Sequence, residues 1–277
     1  PIDVNFMDTK YLQSKHAAGK PYDTYVATGK PEQQANWNRV YDQAALTEAQ
    51  KKLVGSFVRK VNVIGLSGVW CGACVQQCPV DIEHVDHIVD MRRYQVLVES
   101  SFPAELNGLF KGMENRGNPW NMAANARMDW AKDLDFDVPV VGEDLESLES
   151  VDWLFWVGCA GAYEDRAKKT TQAVAELLTM AGVTFGVLGT GETCTGDSAR
   201  RAGNEFVFQG LAQQNVETFK EFKVKKAVTT CAHCFNTLKN EYPQLGGHYE
   251  VVHHSQFLEE LIDTGRLDLS GAKLEER

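Results

Sequence analysis

With 277 residues, 43% hydrophobic and 24% charged, the chain has the balance of an ordinary globular protein, long enough for two domains and a sizeable core. A formal net charge of −10 excludes a general nucleic-acid binder, because neutralising phosphates needs a basic surface. No run reaches the roughly 18–20 consecutive apolar residues of a membrane-spanning helix, and Pro1–Lys10 lacks the basic-then-apolar order of a secretory signal.

A start at Pro rather than Met reads as a processed or trimmed chain. Residues 1–60 hold no cysteine and read as an N-terminal helical or extended segment. A helix is predicted over Thr47–Val61, where Leu53, Val54, Phe57, Val58 and Val61 fall at helical spacing. Residues 61–132 carry the first cysteine cluster. Pro79 stops local structure there, Ile82–Val98 reads as a helix, and Asn115–Asn121 is rich in Asn, Gly and Pro. An acidic linker, 133–151, leads into 152–277.

The pattern then changes to alternating strands and helices. Strands are predicted at Trp153–Val157, Val183–Leu188, Ala227–Thr230 and Tyr249–Val252. Helices fit Glu164–Met180, Ser198–Phe222, Phe235–Glu241 and Ser255–Ile262. This order implies an α/β domain with a parallel sheet covered on both faces.

The seven cysteines, an odd number, are Cys71, Cys74, Cys78, Cys159, Cys194, Cys231 and Cys234. Without an export signal, C-x-x-C spacings point to metal or redox chemistry rather than structural disulfides. Cys159 follows the first strand, Cys194 the second, Cys231 the third, and His253-His254 the fourth. Parallel strands put all those ends on one edge, where open α/β sheets bind ligands. Thiolates are soft ligands that favour iron–sulfur clusters, zinc or Cu(I). Cys159, Cys194, Cys231 and Cys234 are therefore candidate ligands of a cluster or a tetrahedral Zn²⁺. The plainer alternative makes Cys159 and Cys194 buried core residues and leaves only the C-x-x-C pair functional.

The first cluster, Cys71-Gly-Ala-Cys74-Val-Gln-Gln-Cys78-Pro79, is the bacterial ferredoxin run C-x₂-C-x₂-C-x₃-C-P without its first cysteine, whose place Gly68 takes. Residues 71–102 resemble the ferredoxin module of heterodisulfide-reductase-like iron–sulfur proteins. Residues 152–262 are similar to the cysteine-rich CCG domain of the same proteins, in which one Cys precedes Cys-Cys-Gly and then C-x-x-C. Here 34 residues (160–193) separate Cys159 from Cys194-Thr195-Gly196, and 34 more (197–230) lead to Cys231-Ala232-His233-Cys234. The string CTGDSARRAGNEFVFQ (194–209) resembles the subgroup that includes electron-transfer-flavoprotein:menaquinone oxidoreductases.

The resemblance implies electron transfer from a flavoprotein or dehydrogenase, through clusters, to a quinone or disulfide acceptor. The implied partners are a quinone-reducing membrane subunit or other redox subunits. The implied location is the cytoplasm or the inner face of the cell membrane. A mainly helical ferredoxin-like module would precede the α/β domain. The implied cofactors are 4Fe-4S clusters, with 3Fe-4S or noncubane clusters as alternatives. Thr195 replaces the second Cys of Cys-Cys-Gly, which leaves four sulfurs rather than five. Cys71, Cys74 and Cys78 lack a fourth cysteine.

Minor features have plainer readings. Thr195, His233, His253 and His254 are candidates to touch the ligands from outside; one of the last two could tune the cluster or relay a proton. His84 and His87 share a helix face and read as ordinary surface or core histidines. Gly189-Thr-Gly191 is too short for a dinucleotide fingerprint. Arg200 and Arg201 could dock a partner or anion near the site, but read first as a solvated helix face. The rival function is a zinc-stabilised, non-enzymatic interaction domain; a further alternative is a degenerate chain that has lost its clusters.

Overall fold

The computed structural model describes residues 84–271, so the helix predicted over Thr47–Val61, the cluster Cys71, Cys74 and Cys78, and the body of the ferredoxin-like module lie outside the described residues. The described residues fall into two compact units, 84–106 with Ala199–Glu205, and Asn107–Ser198 with 206–271.

In the first unit, helix α1 (His84–Leu97) matches the predicted helix. Its Arg93 is buried and donates to Asp90 at 3.2 Å and to Glu205 at 3.0 Å. Arg200 reaches Glu205 at 3.4 Å and is itself buried. The expectation of a solvated Arg200 is therefore corrected: its guanidinium is balanced by an internal carboxylate rather than by water.

The chain enters the second unit within α2 (Glu105–Arg116), which a 3-10 turn, Ala124–Ala131, follows. Its sheet consists of β1 (Trp153–Trp156), β2 (Phe185–Gly186), β3 (Lys226–Thr229) and β4 (Glu250–His253). All pairings are parallel, in the order β2-β1-β3-β4. Between them run α3 (Gly158–Tyr163), α4 (Asp165–Met180), α5 (Asp197–Ala202), α6 (Glu205–Glu221), α7 (Ala232–Asn236) and α8 (His254–Asp263).

Strand β1 is buried along its whole length, as a central strand covered by helices on both faces must be. Trp153 and Phe155 enter one core with Val174, Ala175 and Leu178 of α4 and Phe257 and Leu261 of α8. Leu154 and Trp156 enter the other with Phe208, Ala212, Val216 and Phe219 of α6. Each large side chain so buried contributes about 1.5–3 kcal/mol, so the sheet and three helices form the rigid part of the domain.

Two further features differ from the sequence reading. The single helix predicted over Ser198–Phe222 is two helices, broken at Gly203, whose φ is +95°. A Cβ there would lie 2.6 Å from the backbone of Arg92, so glycine permits both the turn and the close approach. The stretch 133–151 is also bound to the domain. Val141 N–H donates to Val187 O at 2.8 Å, Val187 N–H to Pro139 O at 2.9 Å, and Val138, Val140 and Leu148 are buried.

The chain leaves β1 toward β2 in one direction and continues from β3 to β4 in the other. The reversal lies between β1 and β3, and open α/β sheets bind their ligands outside the strand ends at such a point.

Candidate metal centre

Cys159, Cys231 and Cys234 come from the two loops that flank this reversal, and Cys194 from the connection after β2. After β1, Gly158 turns the chain with φ +73° and starts α3, which places Cys159 in its first turn. A Cβ on Gly158 would lie 3.3 Å from Cys234 Sγ and 4.0 Å from Cys231 Cβ. The β1 and β3 loops therefore pack directly against each other, with only a hydrogen between them.

Cys194 is held by its backbone. Its N–H donates to Gly117 O at 2.7 Å, and its carbonyl accepts from Asn215 Nδ2 at 3.0 Å. The same Asn215 amide donates to Tyr242 Oη, and the Tyr242 hydroxyl donates to Thr195 O at 3.1 Å. Asn215 and Tyr242 are fully buried, and this chain of bonds satisfies polar groups that would otherwise cost about 1–3 kcal/mol each.

The four thiols meet in two pairs. Cys159 and Cys194 share a thiol–thiol hydrogen bond, and so do Cys231 and Cys234. In the first pair, that bond pulls Cys159 below the usual thiol range, and Arg127 adds to the effect against the opposing influence of burial. The same bond and burial push Cys194 well up. In the second pair, Cys231 is held at about 5, first by its bond to Cys234 and then by the N–H groups of Cys234 and His233 at the start of α7. Cys234 is pushed well up by that bond and by burial, and it also feels the sulfurs of Cys194 and Cys159.

Around the thiols lie groups with opposite prospects. Thr195 is buried and donates to Cys234 Sγ at 3.9 Å. His233 is exposed. His253 Nε2 lies 3.1 Å from Thr230 O and its Nδ1 2.8 Å from Ser255 Oγ, so it braces the loop entering Cys231. His254 packs against His253 with ring centroids 4.3 Å apart.

The sequence reading missed the buried pair Arg127–Glu192. Arg127 Nη1 donates to Glu192 Oε1 at 2.6 Å, and its Nη2 to Cys159 Sγ at 3.3 Å. Glu192 also accepts from Val157 N–H at 3.0 Å and Gly158 N–H at 2.8 Å. Burial alone would lower the Arg127 pKa; the facing Glu192 carboxylate and Cys159 sulfur more than reverse this and raise it. Burial raises the Glu192 pKa against the pull of Arg127 and the two amides. A carboxylate two residues before Cys194 was the available signal, but charged residues in polar loops usually belong to the surface.

Two observations bear on what these residues could hold. Among the described residues, no three His, Cys, Asp or Glu side chains form a group able to hold a single metal ion; tetrahedral zinc at about 2.3 Å from each sulfur needs all four drawn to one point. A cluster instead offers a separate iron to each thiolate, so its ligands need only surround it. Trp156 Nε1 is buried with no hydrogen-bond partner among the described residues, and it lies 3.9 Å from the position a Gly158 Cβ would take. Four soft sulfurs and an unsatisfied N–H at one rim fit a sulfide-bearing group.

Comparison with known proteins agrees in kind. The cysteine-rich domain family CCG matches residues 153–239. The "EtfAB:quinone oxidoreductase" of Syntrophomonas wolfei is 39% identical over 84% of this chain and 33% of its own length. The "Probable iron-sulfur-binding oxidoreductase FadF" of Bacillus subtilis is 39% identical over 82% of this chain and 32% of its own. A component of the dihydromethanophenazine:CoB–CoM heterodisulfide reductase of Methanosarcina mazei is 29% identical over 71% of this chain and 47% of its own. The chain thus spans about a third of the length of the first two relatives. No solved structure matches it. Among the described residues no helix is long and apolar enough to cross a membrane. Residues 153–239 belong to the CCG cysteine-rich family, and the chain is a homologue of iron–sulfur oxidoreductases.

Proposed function

We propose that this chain, built around a CCG domain, is the iron–sulfur electron-transfer part of an oxidoreductase. It relays electrons between a flavoprotein or dehydrogenase donor and a quinone or disulfide acceptor, as a cytoplasmic protein or at the inner face of the membrane beside a quinone-reducing subunit. The observation that carries the reading is the meeting of Cys159, Cys194, Cys231 and Cys234 at the strand-end rim where β1 and β3 diverge. The relatives named as quinone and heterodisulfide oxidoreductases supply the direction of the reading.

In this reading the four thiols hold one centre, most simply 4Fe-4S, and Cys71, Cys74 and Cys78 serve a second. A bound cluster supplies one-electron transfer. The protein's own part is to surround the centre with buried apolar side chains and to aim hydrogen-bond donors at its sulfurs. Four sulfurs with Thr195 in place of a fifth favour a cubane over a noncubane cluster, because Thr195 donates a bond to Cys234 rather than offering another thiolate.

The test is anaerobic purification followed by iron and acid-labile sulfide analysis and EPR. Broad absorption in the violet and blue, with iron and sulfide present, is expected. Cys231→Ser should abolish nearly all of the signal from the C-terminal centre. A colourless protein with stoichiometric zinc, or an unchanged spectrum in Cys231→Ser, would refute the reading.

A further inference from the structure

Beside the Cys159 sulfur stands a charged fork that the ligand set does not require. Arg127 is 2% exposed and Glu192 3%. Such an ion pair is a poor source of net stability, because desolvating both groups offsets their attraction, and apolar residues of similar volume commonly do as well. The geometry here directs the pair elsewhere. Glu192 Oε2 is taken by the Val157 amide, while its Oε1 is shared between the Gly158 amide and one arm of the guanidinium. The other arm of the guanidinium is free of the carboxylate and lies 3.3 Å from Cys159 Sγ. Tyr163 lies against the guanidinium, its ring centroid 5.3 Å from Cζ. Arginine suits the place because one rigid, permanently charged plane serves two acceptors at once, which the single point charge of lysine does not.

Taking the proposed ligation of a cluster by Cys159 as its premise, we infer that Arg127 is a positioning residue that sets the redox potential of the C-terminal centre through the Cys159 sulfur, with Glu192 as the counter-charge that limits its effect. Hydrogen bonds to ligand sulfurs and nearby net charge are levers on such potentials. A positive charge in a low-dielectric pocket favours the form of the centre that has gained an electron, and a negative charge disfavours it. Arg127 therefore makes the centre easier to reduce, and Glu192 takes back part of that effect. The electron gained is supplied by the donor flavoprotein or dehydrogenase, or by the reductant in a titration, and no bond to protein is made or broken.

The experiment is an EPR-monitored redox titration of anaerobically purified wild type, Glu192→Gln and the paired variant Arg127→Gln/Glu192→Gln, in which both charges are removed without leaving either one unpaired. Glu192→Gln should move the midpoint to less negative potential, and the paired variant to more negative potential than Glu192→Gln and wild type. Arg127→Lys should fall between wild type and the paired variant. Opposite shifts are the signature, since a merely structural role would perturb both variants in one sense. Equal potentials, or shifts in the same sense, overturn the inference. If the variants lose iron, alkylation of Cys159 in the metal-free proteins decides. Slower labelling in the paired variant supports the action of Arg127 on this sulfur, and an unchanged rate overturns it. Cys159→Ser separates the two levels: retention of the full centre in that variant defeats the ligand reading itself. Loss of the centre there, with unshifted potentials in the Arg127 variants, defeats only the role of Arg127.

Discussion

The two thiol pairs sit side by side, and in each the bond from the partner thiol does most to favour the thiolate, but the supporting influences differ. Cys159 lies in a closed pocket beside the guanidinium of Arg127. Cys231 is half-exposed and leans on the peptide N–H groups that open α7. A formal charge is strong but must be desolvated and balanced, hence Glu192 and its two amide donors. Peptide dipoles need no counter-ion and tolerate water nearby. The rim thus combines a buried, charge-balanced half with a wetter, neutral half, and perturbing each should fail differently.

The largest effect is expected on the charged half. Glu192→Ala leaves Arg127 buried without its carboxylate and orphans the Val157 and Gly158 amides. It should cost about 3–5 kcal/mol, read as a lower denaturation midpoint under anaerobic conditions. A loss below about 1 kcal/mol would mean that water reaches Arg127 and that the contrast between the halves is overstated.

A smaller loss should follow where the halves touch. Gly158→Ala forces a side chain into φ +73° and places its Cβ 3.3 Å from Cys234 Sγ. The backbone strain alone is about 1–2 kcal/mol, and the displaced sulfur should lower bound iron further than that strain suggests. Unchanged iron content in a folded Gly158→Ala protein would show that Cys234 has room to move.

The mildest probe leaves the sequence intact. In metal-free protein, iodoacetamide should label Cys231 first, because it is both accessible and held at about 5. Its rate should be flat near neutral pH and fall as pH drops through about 5, where the reactive thiolate takes up a proton. Cys194 and Cys234, buried and pushed upward, should react last. Uniform labelling of all four would erase the distinction between the pairs.

The places of the strands were legible because burial on both faces writes itself as short apolar runs: Trp153–Val157 holds β1, although of Val183–Leu188 only Phe185–Gly186 forms β2. That the cysteines follow successive strands was legible for the same reason, since a parallel sheet has a single carboxyl edge. The break at Gly203 was hidden because a lone glycine does not by itself mark a helix end; its φ of +95° and the approach of the Arg92 backbone explain it. Residues 133–151 were misleading by composition: a handful of valines and one leucine dock the segment while its acidic side chains dominate the average. Arg127 and Glu192 could not be paired by inspection, because they stand 65 positions apart in stretches that read as solvated.

The reversal of strand order between β1 and β3 also joins the proposed centre to one of the two cores. The first apolar core closes on the sheet and its helices, whereas the second runs up to the rim, where Cys234 joins it and Cys231 packs against it. Cys231, the least enclosed of the four, then marks the doorway through which an assembly donor would hand over iron and sulfide.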